Sequence, residues 1–75
     1  MSKLEDVILY AWVGEDELGS GEMGIKRVVT ARGYEALVST KKKSMLTFKE
    51  PMKTQSENYG KEIRLCEFIF RKVVD

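Results

Sequence analysis

Val7-Ile8-Leu9-Tyr10-Ala11-Trp12-Val13, bounded by Asp6 and Gly14, is rich in β-branched and aromatic residues. That composition and punctuation predict a strand. Its two alternating faces are Val7, Leu9, Ala11, Val13 and Ile8, Tyr10, Trp12, and both are apolar. A strand greasy on both sides is central in its sheet, or has a helix over one face and the other partly exposed. The rest of the fold is read outward from this strand.

Gly14 to Glu22 holds three glycines and four acids in nine residues, which predicts a loop. Gly24 to Ala31 and Tyr34 to Thr40 read as two strands closed into a hairpin at Arg32-Gly33, where glycine supplies a positive φ. Lys41-Lys42-Lys43-Ser44 reads as a charged connector. Met45, Phe48, Met52 and Tyr59 then recur at helical spacing. Two starts fit this helix: a capping box of Thr47 and Glu50, or Pro51 as the first helical residue. Both end at Gly60, a left-handed stop. Glu62 to Val74 is the last strand; its apolar parity changes at Leu65-Cys66, which fits burial on both faces or a bulge. The expected fold is α+β: one domain over residues 1–75, ordered β-β-β-α-β, with a mostly antiparallel sheet and one helix on one face. The step from third strand through helix to last strand suits a right-handed parallel crossover.

The 75 residues are 43% hydrophobic and 33% charged, a globular balance. A chain this short buries only roughly 60% of its unfolded surface, so a large internal active-site cavity is not expected. Cys66 is the single cysteine, so no intramolecular disulfide forms and a reducing compartment is implied. The thiol is read as a small apolar residue, with no histidine to activate it. Absence of histidine also removes the commonest general base and metal ligand. No cofactor or metal is expected, and no enzyme. The longest apolar run is too short to span a bilayer, and the opening residues are acidic where a signal peptide is basic. A cytoplasmic location follows as the expectation.

Charge is segregated along the chain. Residues 1–25 carry one lysine against six acids, and residues 26–75 carry twelve bases against six acids. Glu15, Asp16, Glu17 and Glu22 form an acidic stretch suited to a basic surface on another protein. Their spacing does not match an EF-hand loop, which argues against Ca²⁺ or Mg²⁺. Gly19, Gly21 and Gly24 spell G-x-G-x-x-G, but between two strands and behind a row of acids, where the motif has no phosphate to hold. Arg32, Lys41, Lys42 and Lys43 are the candidate nucleic-acid contacts, through phosphates. Unpaired strand edges invite strand addition or dimerisation, with basic residues along the strands as guards. Trp12 is read as core.

The stretches Tyr10-Ala11-Trp12-Val13-Gly14-Glu15-Asp16-Glu17 through Gly24-Ile25-Lys26, and Asn58-Tyr59-Gly60-Lys61-Glu62-Ile63-Arg64-Leu65, resemble small uncharacterised proteins encoded in phages and prophages. The resemblance implies a small accessory or host-interaction protein and brings no site residue with it. Together these readings predict a non-enzymatic protein-interaction module acting through its surface, binding another protein or forming a homo-oligomer. Nucleic-acid association is the alternative, and a carboxylate–metal enzyme a third. No membrane is involved in any of them.

Overall fold

The computed structural model describes residues 3–15 and 21–75. The fold is a small α+β domain with a mostly antiparallel sheet. A 3₁₀ turn (Leu4–Asp6) leads into β1 (Ile8–Glu15). Next come β2 (Met23–Ile25), β3 (Arg27–Thr30), β4 (Gly33–Ala36) and β5 (Val38–Ser39). Helices α1 (Lys42–Leu46) and α2 (Lys49–Tyr59) then precede β6 (Ile63–Ile69).

β1 is the central strand, as its two apolar faces require. Along one edge it pairs with β6 in seven consecutive antiparallel partners, from Ile8↔Ile69 to Gly14↔Ile63. The unbroken register excludes a bulge in β6. The parity change at Leu65-Cys66 therefore reflects burial on two faces: Ile63 and Leu65 on one, Cys66 and Phe68 on the other. Pairing stops at Ile69 because β1 begins at Ile8, so the strand expected to reach Val74 ends five residues earlier.

The other edge of β1 is shared by two short strands placed end to end. β5 pairs at Tyr10↔Ser39 and Ala11↔Val38; β2 pairs at Val13↔Ile25, Gly14↔Gly24 and Glu15↔Met23. Between them the two strands of the expected hairpin change partner. Before Lys26 the chain pairs with β1; after it, β3 pairs with β4, from Arg27↔Ala36 to Thr30↔Gly33. The junction is a closed ring of three main-chain bonds. Trp12 N–H donates to the Leu37 carbonyl (3.1 Å), Leu37 N–H to the Lys26 carbonyl (2.9 Å), and Lys26 N–H to the Trp12 carbonyl (2.8 Å). Every donor and acceptor at the branch point is thereby used, so the split does not leave a buried polar group orphaned. β3 and β4 continue as a two-stranded arm whose turn is Ala31-Arg32, with Gly33 (φ +104°) opening β4. The turn thus lies one residue earlier than Arg32-Gly33.

The lysine connector is partly helical: Lys42 and Lys43 open α1, and Thr47 Oγ1 donates to the Ser44 carbonyl (2.6 Å) at its end. Thr47 is thus engaged with α1 and does not cap α2. Helix α2 is capped by Phe48 and places Pro51 third, inside the first turn where an N–H has no helical partner to lose. Neither expected start is the observed one. The expected stop is: Gly60 takes φ +64°, and its N–H bonds to the Ser56 carbonyl. β5 and β6 flank β1 on opposite edges, both antiparallel to it. The helical segment therefore crosses over β1 between two mutually parallel strands.

Met45 and Met52 pack on Trp12 and Leu37, with Tyr10, Val28, Phe48, Ile63 and Leu65 around them. Trp12 donates its indole N–H to the Met45 carbonyl at 2.7 Å, the partner a buried indole needs. Beside the core, Gly14 is where Ile63, the Glu62 carbonyl and the Lys26 stem converge; a Cβ there would lie 3.0 Å from Ile63 Cγ1.

Candidate interaction surfaces

Both helices place their buried methionines on the Trp12 side of the sheet. Register assigns the opposite face. Leu9, Ala11 and Val13 share it with Phe68, Cys66 and Arg64 across one edge, and with Val38 and Ile25 across the other. The same side continues onto the arm as Arg27, Val29, Tyr34 and Ala36. An antiparallel sheet with one solvated face ordinarily alternates apolar-in and polar-out. Here the outward positions are apolar too. Only Ala11, flanked by Val38 and Cys66, is fully covered; Leu9, Ile25 and Phe68 are 38%, 46% and 46% exposed, and Val29 and Tyr34 exceed 70%. Arg27 stacks its guanidinium 5.6 Å from the Tyr34 ring centre, which holds the ring flat along the arm. Cys66 lies on this open face, half-buried and in no disulfide, with its thiol donating to the Arg64 carbonyl at 3.7 Å.

The molecule carries more surface than its mass calls for. It exposes 6281 Å², against about 4,700 Å² for a compact monomer of 8.6 kDa. Its radius of gyration is 13.7 Å, against about 11 Å for a compact chain of this length. The two-stranded arm, the open face and the exposed residues that follow β6 all add to that surface.

A second feature lies on the helix side. A groove of about 630 Å³ runs between α2 and β6, floored by Trp12, Leu46, Ile63 and Leu65. Lys49 and Lys53 stand along its wall toward the start of α2, and Glu57 and Glu62 at the other end. Glu62 is engaged by Arg64, whose Nε lies 3.4 Å away. Among the described residues no strand lies beside the far edge of β6. Trp12 turns both its main-chain groups toward Lys26 and Leu37, so its partner Leu65 turns its own away from β1. By the same alternation Ile63, Leu65 and Glu67 present N–H and C=O groups outward along the groove.

The residues expected from charge fall elsewhere. Glu15 ends β1 and pairs with Lys61 Nζ at 2.9 Å, an intramolecular contact rather than an exposed docking charge. Glu22 is exposed just before β2; Asp16 and Glu17 lie outside the described residues. Among the glycines of the G-x-G-x-x-G spelling, Gly24 is paired within β2 and enters no helix. Arg32 sits at the tip of the arm, and Lys41, Lys42 and Lys43 lie beyond its base. Eight residues separate Arg32 from Lys41, six of them in β4 and β5, about 30 Å of extended chain, so they do not form one patch. No group of three metal-ligating side chains occurs among the described residues, and no described helix is long and apolar enough to cross a membrane.

No family model, curated protein or solved structure matches this chain. Inference about its function therefore rests on the surfaces themselves. The open face was half legible from sequence, because β1 is apolar on both sides. Its extension onto the arm was not, since nothing local in Arg27–Ala36 says which side the helices will leave bare.

Proposed function

We propose that the chain is a non-enzymatic protein-interaction module that works by burying its open sheet face, with a second copy of itself as the occupant. The carrying observation is that face: apolar side chains on four strands and an arm, left uncovered while two helices crowd the other side. Six side chains, Leu9, Met23, Ile25, Val29, Tyr34 and Phe68, are 38–74% exposed. Their exposed parts together reach several hundred Å², the order of the roughly 800 Å² that each partner hides in a standard interface. Self-association is favoured over a foreign partner by composition: beyond Arg27, which lies over Tyr34, Arg64, and Glu15, itself paired with Lys61, the described side chains of the face are uncharged, and homodimer interfaces are the more apolar kind. Two such sheets stack about 10 Å apart, as in a sandwich.

Sedimentation of the full chain across a micromolar concentration series tests the proposal. A dimer is expected, and Val29→Lys with Phe68→Lys should return it to a monomer with unchanged far-ultraviolet circular dichroism. Val29 is 72% exposed, whereas Phe68 is 46% exposed and gives up part of its burial, so the circular dichroism of the double variant is the control for its fold. A wild-type monomer at the highest concentration would overturn self-association, and a dimer indifferent to the double substitution would place the interface on another surface.

A further inference from the structure

We propose that the groove between α2 and β6 is a second, independent docking site, which takes an extended segment of a partner protein as an added strand. The segment carries an acid, an aliphatic residue and a base at every second position. Three observations meet there. β6 offers the main-chain groups of Ile63, Leu65 and Glu67 to an incoming strand. Such edges are the substrate of strand addition, in which main-chain bonds supply affinity and alternate side chains supply specificity. Beside this edge lies an apolar floor of Trp12, Leu46, Ile63 and Leu65, wide enough for an aliphatic side chain. The walls are electrically polar, with Lys49 and Lys53 at one end and Glu57 at the other, where Glu62 is already held by Arg64.

Lys49 is poorly placed in the isolated chain, whereas Lys53 has Glu50 three residues before it and Glu57 four after it. Lys49 and Lys53 are four residues apart on one helix, a like-charge spacing that destabilises. Lys49 also opens α2, where the macrodipole disfavours a cation. Among the described residues neither lysine, nor Glu57, has an ion pair or side-chain hydrogen bond. An anion from a partner relieves that arrangement. The dimensions agree as well. Lys49 to Glu57 spans about 12 Å of helix at 1.5 Å per residue, and an acid and a base four residues apart on an extended strand are about 13 Å apart.

Every pairing in the described four-stranded sheet is antiparallel, and for a strand added in that sense the polarity of the groove sets the order of its charges. α2 and β6 are joined by the short Gly60–Glu62 turn, so Glu57 and Glu62 lie near the start of β6 and the lysines toward its end. A strand antiparallel to β6 enters at the lysines and leaves at the glutamates. Its acid must therefore precede its base.

The probe is a fluorescein-labelled peptide Ser-Glu-Thr-Val-Thr-Lys-Ser, with the reversed-charge peptide Ser-Lys-Thr-Val-Thr-Glu-Ser as its control. Anisotropy and amide hydrogen exchange are read on the full chain. The acid-first peptide is expected to bind at least tenfold tighter than its control and to slow exchange at Ile63, Leu65 and Glu67. Lys49→Glu with Lys53→Glu, both on exposed positions, should abolish that preference, and added salt should weaken it. Absence of binding, equal binding of the two peptides, or binding without protection of those three amides would each overturn the proposal. So would an oligothymidylate that occupies the two lysines and displaces the peptide while leaving the β6 amides unprotected, because the lysines would then serve a phosphate backbone.

Discussion

Trp12 and Met45, 33 positions apart in the chain, are joined by a 2.7 Å bond from the indole N–H to a main-chain carbonyl. The bond ties the central strand to the last turn of α1 inside the core, where water does not compete for either group. The main chain of the same tryptophan forms one side of the ring that splits the hairpin. One residue thus fixes both the helix layer and the branching of the sheet.

Replacing the indole without emptying the core separates these roles. Trp12→Phe keeps a ring against Leu37 and Met52 and removes the indole donor, while the Met45 carbonyl keeps its bond from the Phe48 N–H at 3.1 Å. We expect a loss of about 0.5–1.5 kcal/mol, a sizeable share of the few kcal/mol available to a domain this small. Urea unfolding followed by circular dichroism measures it; a change under a few tenths of a kcal/mol would show that the bond does not matter.

Gly14→Ala tests the close approach of β1 to the start of β6. The new methyl would meet the Glu62 carbonyl at 3.1 Å as well as Ile63 Cγ1 at 3.0 Å. A side chain can rotate aside and a main-chain carbonyl cannot, so the expected cost is about 1–3 kcal/mol. Gly24→Ala is the matched control: Gly24 is the partner of Gly14 in the ladder, with open space around its missing Cβ. Its midpoint of unfolding should hold or rise slightly.

At Gly60 the space is open but the backbone is not permissive. Its φ of +64° closes α2 and lets Lys61 N–H return to the Ser56 carbonyl at 3.2 Å. Gly60→Ala should cost about 1–2 kcal/mol, and Gly60→Asn less, because asparagine tolerates the left-handed region. Equal stability of the two variants in thermal melts would contradict this account.

Gln55 carries the one buried side-chain oxygen without a hydrogen-bond partner among the described residues. Such an atom forfeits its hydration for nothing. Gln55→Met, similar in length and free of that oxygen, is expected to stabilise the chain by about 1 kcal/mol. A lower unfolding midpoint for the variant would refute it.

The alternation of Val7–Val13, the helical stripe from Met45 to Tyr59 and the Gly60 stop were all readable, because each is a short-range pattern with a local physical cause. Helix boundaries were less so. Phe48 is an unusual cap, with no side-chain bond to announce it, and Thr47, the better capping residue by type, is engaged by Ser44. The exposed lysines of the groove were visible as charges but not as a site. Their meaning comes from Leu65 and Trp12, which approach them only in the folded chain.

Local order in this chain follows from spacing: which residues extend, which coil, and that β1 must have neighbours on both faces. Partner choice does not. Lys26 and Leu37 look like ordinary strand residues, yet each is where a strand leaves β1 for the arm, because β1 has one edge free and two short strands to place along it. Which face stays bare was likewise set by where the helical crossover passes over β1, a long-range packing outcome. No stretch of neighbouring residues encodes it.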